Sequence, residues 1–203
     1  MFTLIFSSNA QSDATSKSIL KKTSKVYKSM KTIEAKFSLI TMSAQRKPIV
    51  NSGNLWLKGT SFKLELGDQE IICDGKSIWT YSSTTEEVTL ESYSKRTNQM
   101  SPEEMFSFYE NGFKSLYEGK RTDGGATYEL IKLVPKKNRA KYSFINVEIN
   151  PTNNYIHKVI QHMKNGMDIV IEINELKKNS AVSSNMFKWD SVTHPGVELV
   201  DLR

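Results

Sequence analysis

The sequence predicts a mainly β protein. The expected architecture is a single strongly curved antiparallel sheet, an incomplete β-barrel of about ten or eleven strands, with an N-terminal amphipathic helix and a short apolar plug helix in the concave side. Three observations carry this expectation. From Ile33 onward apolar residues alternate with a period of two. Turn signals recur about every 8 to 12 residues, the spacing of an antiparallel meander rather than of βαβ units. And only two stretches carry helical signals, too few to cover both faces of so large a sheet.

The first element is a helix over Thr15 to Met30. Ile19, Leu20, Val26, Tyr27 and Met30 fall on one arc at 100° per residue, and Lys17, Lys21, Lys25, Lys28 and Lys31 on the other. A lysine face of this kind is ordinarily solvated, and it also suits a membrane surface or an acidic partner. Strands follow. "IEAKFSLITM" points Ile33, Ala35, Phe37 and Leu39 one way. "NLWLKG" sets Leu55 and Leu57 against Trp56, and "SFKLEL" sets Phe62, Leu64 and Leu66 against Lys63 and Glu65. "EIICDG" ends at an Asp-Gly turn, and "SIWTYSS" and "EEVTLES" return from it. By period, Ile71, Trp79 and Tyr81 are expected to line one face. In "SPEEMFSFYENG", Ser101 suits an N-cap, Pro102 the first helical position and Glu104 a capping box, with Gly112 as the stop. Met105, Phe106, Phe108 and Tyr109 make that helix apolar nearly all round, so it must be enclosed or face something apolar. Five further strands and a "HPGVELVDLR" end strand complete the chain.

Bulk properties bound the function. At 203 residues, 38% hydrophobic and 25% charged, the chain is long and apolar enough for one globular domain with a good core. The net charge of +6 permits nucleic acid, anionic lipid or an acidic protein as a partner, and solubility alone also accounts for it. The basic run Lys136 to Lys141 has no interleaved aromatics, which a nucleic-acid groove would want, so no nucleic acid is expected. The single cysteine, Cys73, excludes an internal disulfide. No stretch approaches the ~20 apolar residues of a membrane span. At the start, the short apolar run Phe2 to Phe6 precedes Ser8 and Ala10 at the spacing of a cleavage site. Residues 1–12 are therefore expected to be the remnant of a signal peptide or a ragged N-terminus, and residues 13–203 a single domain located outside the cytoplasm.

Catalytic and metal signatures are missing from the sequence. His157 and His162, five apart in one strand, should point to opposite faces, and His194 lies far from both. No HExxH, GxSxG, P-loop or GxGxxG occurs. Nothing names a base for Cys73, and Glu86 with Glu87 reads as a solvated turn end. The expectation is a protein that is not an enzyme, with no cofactor and no metal.

One motif is more specific. Asp74-Gly75-Lys76-x-x-Trp79-x-Tyr81 resembles the most characteristic stretch of the periplasmic outer-membrane lipoprotein carrier family, LolA. Other pieces agree in order: the N-terminal helix and "AKFSL", then Gly53-x-Leu55-Trp56-x-Lys58, the Ser-Pro-started apolar helix, and Pro195-Gly196-Val197 with Asp201 behind it. The resemblance covers most of the chain from about Thr15 to Arg203. It implies a monomeric periplasmic carrier that shields the acyl chains of lipoproteins and ferries them to the outer membrane. Its implied partners are acylated lipoproteins, an inner-membrane ABC-type transporter and, in some bacteria, an outer-membrane receptor. The implied cavity lining is Phe37, Leu39, Leu55, Leu57, Phe62, Leu64, Leu66, Trp79, Tyr81, Met105, Phe106 and Tyr109. One position departs from the family pattern: Gly59 follows Lys58 where a basic lid-closing residue is usual. Two other readings stay open. One is a half-barrel for another amphiphile, such as a glycolipid or a lipid-linked precursor. The other is a protein-interaction or stress-sensing module with no lipid cargo.

Overall fold

The computed structural model describes residues 8–93, 106, 109, 111–137 and 140–203. Its elements are helix α1 (Ser8–Lys28) and strands β1 (Ile33–Ser43), β2 (Arg46–Lys58), β3 (Ser61–Leu66), β4 (Gln69–Cys73), β5 (Ser77–Ser82) and β6 (Glu87–Ser92). Strands β7 (Phe113–Asp123), β8 (Ala126–Pro135), β9 (Tyr142–Asn150), β10 (Tyr155–Met163) and β11 (Asp168–Lys178) follow, then a short 3-10 helix (Ser184–Phe187) and β12 (Glu198–Asp201). The twelve strands make one open sheet in the order β12-β6-β5-β4-β3-β2-β1-β11-β10-β9-β8-β7. The expected mainly β class and unclosed barrel are met. The sheet departs from a pure meander in two places: β1 neighbours β11 while the consecutive β6 and β7 are not neighbours, and β12, reached through the 3-10 helix, joins β6 in parallel. Of the expected plug helix only Phe106, Tyr109, Asn111 and Gly112 are described, and Ser101, Pro102, Glu104, Met105 and Phe108 lie outside the described residues.

The chain divides into two compact units. The first comprises residues 1–29, 40–49 and 106–172. Its helix begins at Ser8, seven residues before the apolar period announces it. The reason lies in the inward stripe, which runs from the half-buried Ser12 through the buried Ser16, Leu20, Thr23 and Tyr27 and so opens with serines. Ser12 Oγ both accepts the Tyr117 N–H and donates to the Tyr117 carbonyl, each at 2.9 Å. Ser16 Oγ meets Ser115 Oγ at 2.8 Å. Small hydroxyl residues let the helix lie close to β7 and give polar partners to both sides. Further along, the Tyr27 hydroxyl accepts the buried Ile156 N–H at 3.0 Å, and its ring stacks on Phe106 at 4.5 Å.

One face of this unit's sheet carries its most deeply buried side chains. Ile131, Leu133, Ile145, Val147 and Ile149 are fully buried, and the register pairs Ile131 with Val147 and Leu133 with Ile145. Burying each such side chain contributes about 1.5–3 kcal/mol. The opposite face carries Arg121–Glu148 at 2.7 Å, Lys158–Glu172 at 3.3 Å and His162–Asp168 at 2.9 Å. His157 does not oppose His162 as the alternation predicts. A register shift between Ile156 and Lys158 turns it onto the same polar face, where it stacks on Tyr128 at 4.2 Å. A bulge adds one residue to the count and so reverses the parity beyond it.

The second unit comprises residues 30–39, 50–105 and 173–203. Its strands are held in register by short turns. Gly59 and Thr60 alone join β2 to β3, with Lys58 opposite Ser61, and Gly59 takes the left-handed φ of +58° that a tight turn requires. The Asp-Gly-Lys turn between β4 and β5 is built in the same spirit. Asp74 Oδ1 accepts the N–H groups of Lys76 and Ser77, both at 2.8 Å. Gly75 has φ +89°, and a Cβ there would sit 2.6 Å from Thr60 Oγ1. The most specific motif of the sequence is thus a turn lock that fixes β4 against β5.

Candidate functional site: the apolar face of the second unit

The pairing registers sort the candidate residues. Leu55 lies opposite Leu64 and Leu57 opposite Phe62. Leu64 in turn lies opposite Ile71, and Phe62 opposite Cys73. Ile71 lies opposite Thr80 and Cys73 opposite Ile78. Residues directly opposite share a face, so Leu55, Leu57, Phe62, Leu64, Leu66, Ile71, Cys73 and Ile78 form one apolar surface. Phe37 joins it by lying against Gly53, which is paired with Leu66. Leu39, two residues along β1, shares the face of Phe37. Phe37, Leu55, Leu57, Phe62 and Cys73 are buried, while Leu39, Leu64, Leu66, Ile71 and Ile78 are only half-buried. Half-buried aliphatic side chains next to one another form a surface on which an apolar ligand loses contact with water at no cost in polar desolvation.

Trp79 and Tyr81 lie on the other face. Trp79 pairs with Ile72 and Leu90, and Tyr81 with Glu70 and Val88. The expectation that Ile71 shares their face is corrected here. Ile72 opposes Trp79, so Ile71 points the opposite way. Of the two, Tyr81 answers to the C-terminal segment. Tyr81 meets Trp189 at 5.6 Å and His194 at 4.9 Å, and His194 stacks on Trp189 at 4.2 Å. Lys58 Nζ donates to Ser184 Oγ at 3.3 Å, a second tie to the same segment. Tyr81 and Lys58 therefore fasten the C-terminal segment onto the sheet.

Two of the remaining candidates belong to the first unit. Phe106 and Tyr109 are both buried, Phe106 against Tyr27. Met105 lies outside the described residues. Ile71, Cys73 and Ile78 are the face residues that sequence reasoning missed. The signal that could have found them is loop length: four residues, Asp74 to Ser77, separate the paired Cys73 and Ile78, which makes facing residues differ in parity.

Among the described residues no group of three or more His, Cys, Asp or Glu side chains is placed to hold a metal ion. Cys73 is buried, with its Sγ 3.3 Å from the Gly75 N–H that donates to it. No described helix is long and apolar enough to cross a membrane.

The fold has known relatives. Residues 28–190 match the model of the outer membrane lipoprotein carrier protein LolA. The chain belongs to the LolA family. Comparison with curated proteins finds no match. Among solved structures, an uncharacterized conserved protein from Thermus thermophilus superposes with a TM-score of 0.60 at 9% identity, over 92% of this chain and 99% of that one. The lipoprotein LppX of Mycobacterium tuberculosis gives 0.56 at 12% identity, over 85% and 100%. MucB in the MucA/MucB complex of Pseudomonas aeruginosa gives 0.52 at 10% identity, over 87% of this chain and 62% of that one. At such identities these likenesses speak for the LolA fold, which they share over most of this chain.

Proposed function

We propose that this LolA-family protein is a periplasmic carrier that shields the acyl chains of lipoproteins on the apolar face of its second unit. The observation that carries the reading is the half-buried aliphatic patch Leu39, Leu64, Leu66, Ile71 and Ile78, bordered by the buried Phe37, Leu55, Leu57 and Phe62. The five patch residues are all aliphatic, which suits hydrocarbon, and the first charge on the same face is Glu91, opposite Ile78 at its edge. The family description, an outer membrane lipoprotein carrier, supports the same cargo. An inner-membrane ABC-type transporter as donor and an outer-membrane receptor as acceptor complete the proposed route.

Physical chemistry explains why the grip should be partial. Full burial of one acyl chain of about sixteen carbons is worth up to roughly 12 kcal/mol at ~0.8 kcal/mol per CH₂. Such affinity would prevent hand-off. A surface whose lining is already half covered by its neighbours offers only part of that energy, and release stays within reach. The same carrier role requires no catalytic group, in keeping with a patch made of aliphatic side chains.

The test is capture of cargo. The protein is mixed with membranes carrying a triacylated lipoprotein, and the soluble fraction is examined for a one-to-one complex. Capture is expected for the natural sequence, and Ile71→Glu or Leu64→Glu, which set a carboxylate on the patch, should abolish it. Tyr81→Phe, on the opposite face, should leave it intact. If the natural sequence captures no lipoprotein and native mass spectrometry instead finds a tightly held glycolipid or lipid-linked precursor, the carrier reading is wrong and the amphiphile reading takes its place.

A further inference from the structure

The first unit holds a cavity of its own. A cavity of about 430 Å³ is lined by Lys17, Leu20, Lys21, Ser24, Lys28, Tyr109, Phe113, Ser115 and Lys136. Its chemistry is divided. Leu20, Tyr109 and Phe113 give it an apolar floor, Leu20 and Tyr109 being buried. Around them stand four lysines, and among the described lining residues there is no carboxylate. The arrangement follows from helix geometry: positions 17, 20, 21, 24 and 28 are one stripe of α1, spaced by three and four residues. The lysine face that the sequence alone would leave in solvent therefore turns one of its edges into a cavity wall. Lys136 supplies charge from the far side. Its backbone N–H donates to the Gly112 carbonyl at 2.8 Å, directly beside Phe113, which pairs with Pro135. The position of Lys136 is thus fixed by β-type bonding and does not depend on its side chain.

Like charges do not gather round an apolar cavity without cost. Lys17 is partly compensated by Asp13 at 3.6 Å, one helical turn away and outside the lining. Among the described residues no carboxylate pairs with Lys21 or Lys136. An anion placed between them would relieve their repulsion, and the lysine stems would cover its apolar neighbour. Size narrows the ligand further. A volume of 430 Å³ is near the lower end of small-molecule pockets, about 300–1,000 Å³. It has room for one chain segment with its head, and a triacylated anchor does not fit.

We propose that this cavity binds a single-chain amphiphile with an anionic head. The head, a phosphate or carboxylate, lies between Lys21 and Lys136, and the start of the chain lies on Leu20, Tyr109 and Phe113. The site stands on its own geometry, so its failure would leave the acyl-face reading untouched.

The experiment titrates the full chain with 1-palmitoyl lysophosphatidylglycerol below its micellar concentration, by calorimetry and native mass spectrometry. Three comparison probes are used: the zwitterionic lysophosphatidylcholine of the same chain, inorganic phosphate, and palmitate. Saturable one-to-one binding of the two anionic amphiphiles is expected. Lys21→Glu with Lys136→Glu should weaken it at least about tenfold, whereas Lys47→Glu, an exposed lysine outside the lining, and Ile71→Glu, on the acyl face, should not change it. Binding should also weaken as salt is raised, because the contributing charges are exposed. Three outcomes overturn the proposal. Equal binding of the zwitterionic amphiphile, unmoved by the lysine reversals, would mean a purely apolar site. Inorganic phosphate binding as tightly as the amphiphiles would mean a free-anion site. Loss of binding in Ile71→Glu alone would place the chain on the acyl face instead.

Discussion

Gly53 and Phe37 give the sharpest test of how the apolar face of the second unit is built. Gly53 is buried in β2, and the Phe37 ring of β1 occupies the space its missing side chain leaves. A Cβ at position 53 would stand 2.4 and 2.7 Å from two Phe37 ring carbons and 2.9 Å from the Glu65 carbonyl oxygen. Carbon atoms pack comfortably at about 3.5–4.0 Å, so the ring must retreat by roughly 1 Å or more. Neighbouring β strands leave little slack in a close-packed layer. Gly53 does not have a positive φ, so alanine suits its backbone, and its β-propensity acts slightly in its favour. The whole effect is therefore steric. Overpacking of this kind costs about 1–3 kcal/mol, and Gly53→Ala should lower the unfolding free energy by that amount in urea with an unchanged m-value. The mechanism predicts more than a loss. Phe37→Leu should itself be destabilising, by about 1–2 kcal/mol, for the void it leaves. In the double variant the alanine methyl refills part of that void, so the two losses should fall short of their sum by about 1 kcal/mol. The Glu65 carbonyl keeps the rescue incomplete. Strict additivity of the two changes, or a neutral Gly53→Ala, would show that Phe37 does not depend on the glycine and would refute the packing argument.

Other perturbations follow the same logic. Tyr27→Phe strips the buried Ile156 N–H of its acceptor and should cost about 1–3 kcal/mol, read from a thermal or urea melt; a loss within a few tenths would mean another acceptor takes over. Burial, with the Glu129 carboxylate accepting its proton at 2.6 Å, pushes the Tyr117 hydroxyl up to about 12. Its folded value lies above the unfolded value near 10. The stability it contributes is thus full below about pH 10 and is lost as pH rises through about 12. Tyr117→Phe should flatten that alkaline limb in pH-dependent urea melts. At the Asp-Gly turn, Asp74→Ala should cost about 1–2 kcal/mol for two lost acceptor contacts. Gly75→Ala should cost more, since it combines φ +89° with a Cβ 2.6 Å from Thr60 Oγ1. The reverse order of the two melting temperatures would contradict the turn-lock account. Removing Trp189 by Trp189→Ala should loosen the C-terminal segment around Tyr81 and His194, seen as faster amide exchange over residues 184–201 with β3 and β4 unchanged.

The strands were legible because their residues obey local rules. Phe62, Leu64 and Leu66 alternate with Lys63 and Glu65, and β3 forms over those residues. The start of α1 was not legible, because Ser12 and Ser16 occupy its buried stripe and bond to β7 a hundred residues away. Nothing within a helical window marks a serine as buried. The candidate site was half legible. Seven of its twelve residues, Phe37, Leu39, Leu55, Leu57, Phe62, Leu64 and Leu66, share one apolar face, the face proposed above to hold acyl chains. Trp79 and Tyr81, chosen by the same alternation, lie on the opposite one.

What the sequence determined by itself is therefore each strand's own alternation, the turns with their glycines, and the family that the Asp74–Tyr81 motif marks. What only the tertiary structure decided is which strand's odd residues meet which neighbour's even ones. A side chain's parity is set within four or five residues, whereas a shared face depends on turn length and bulges, and one inserted residue reverses it. The same long-range placement brought Lys136 across from Lys21 and turned a solvated lysine stripe into the wall of a cavity.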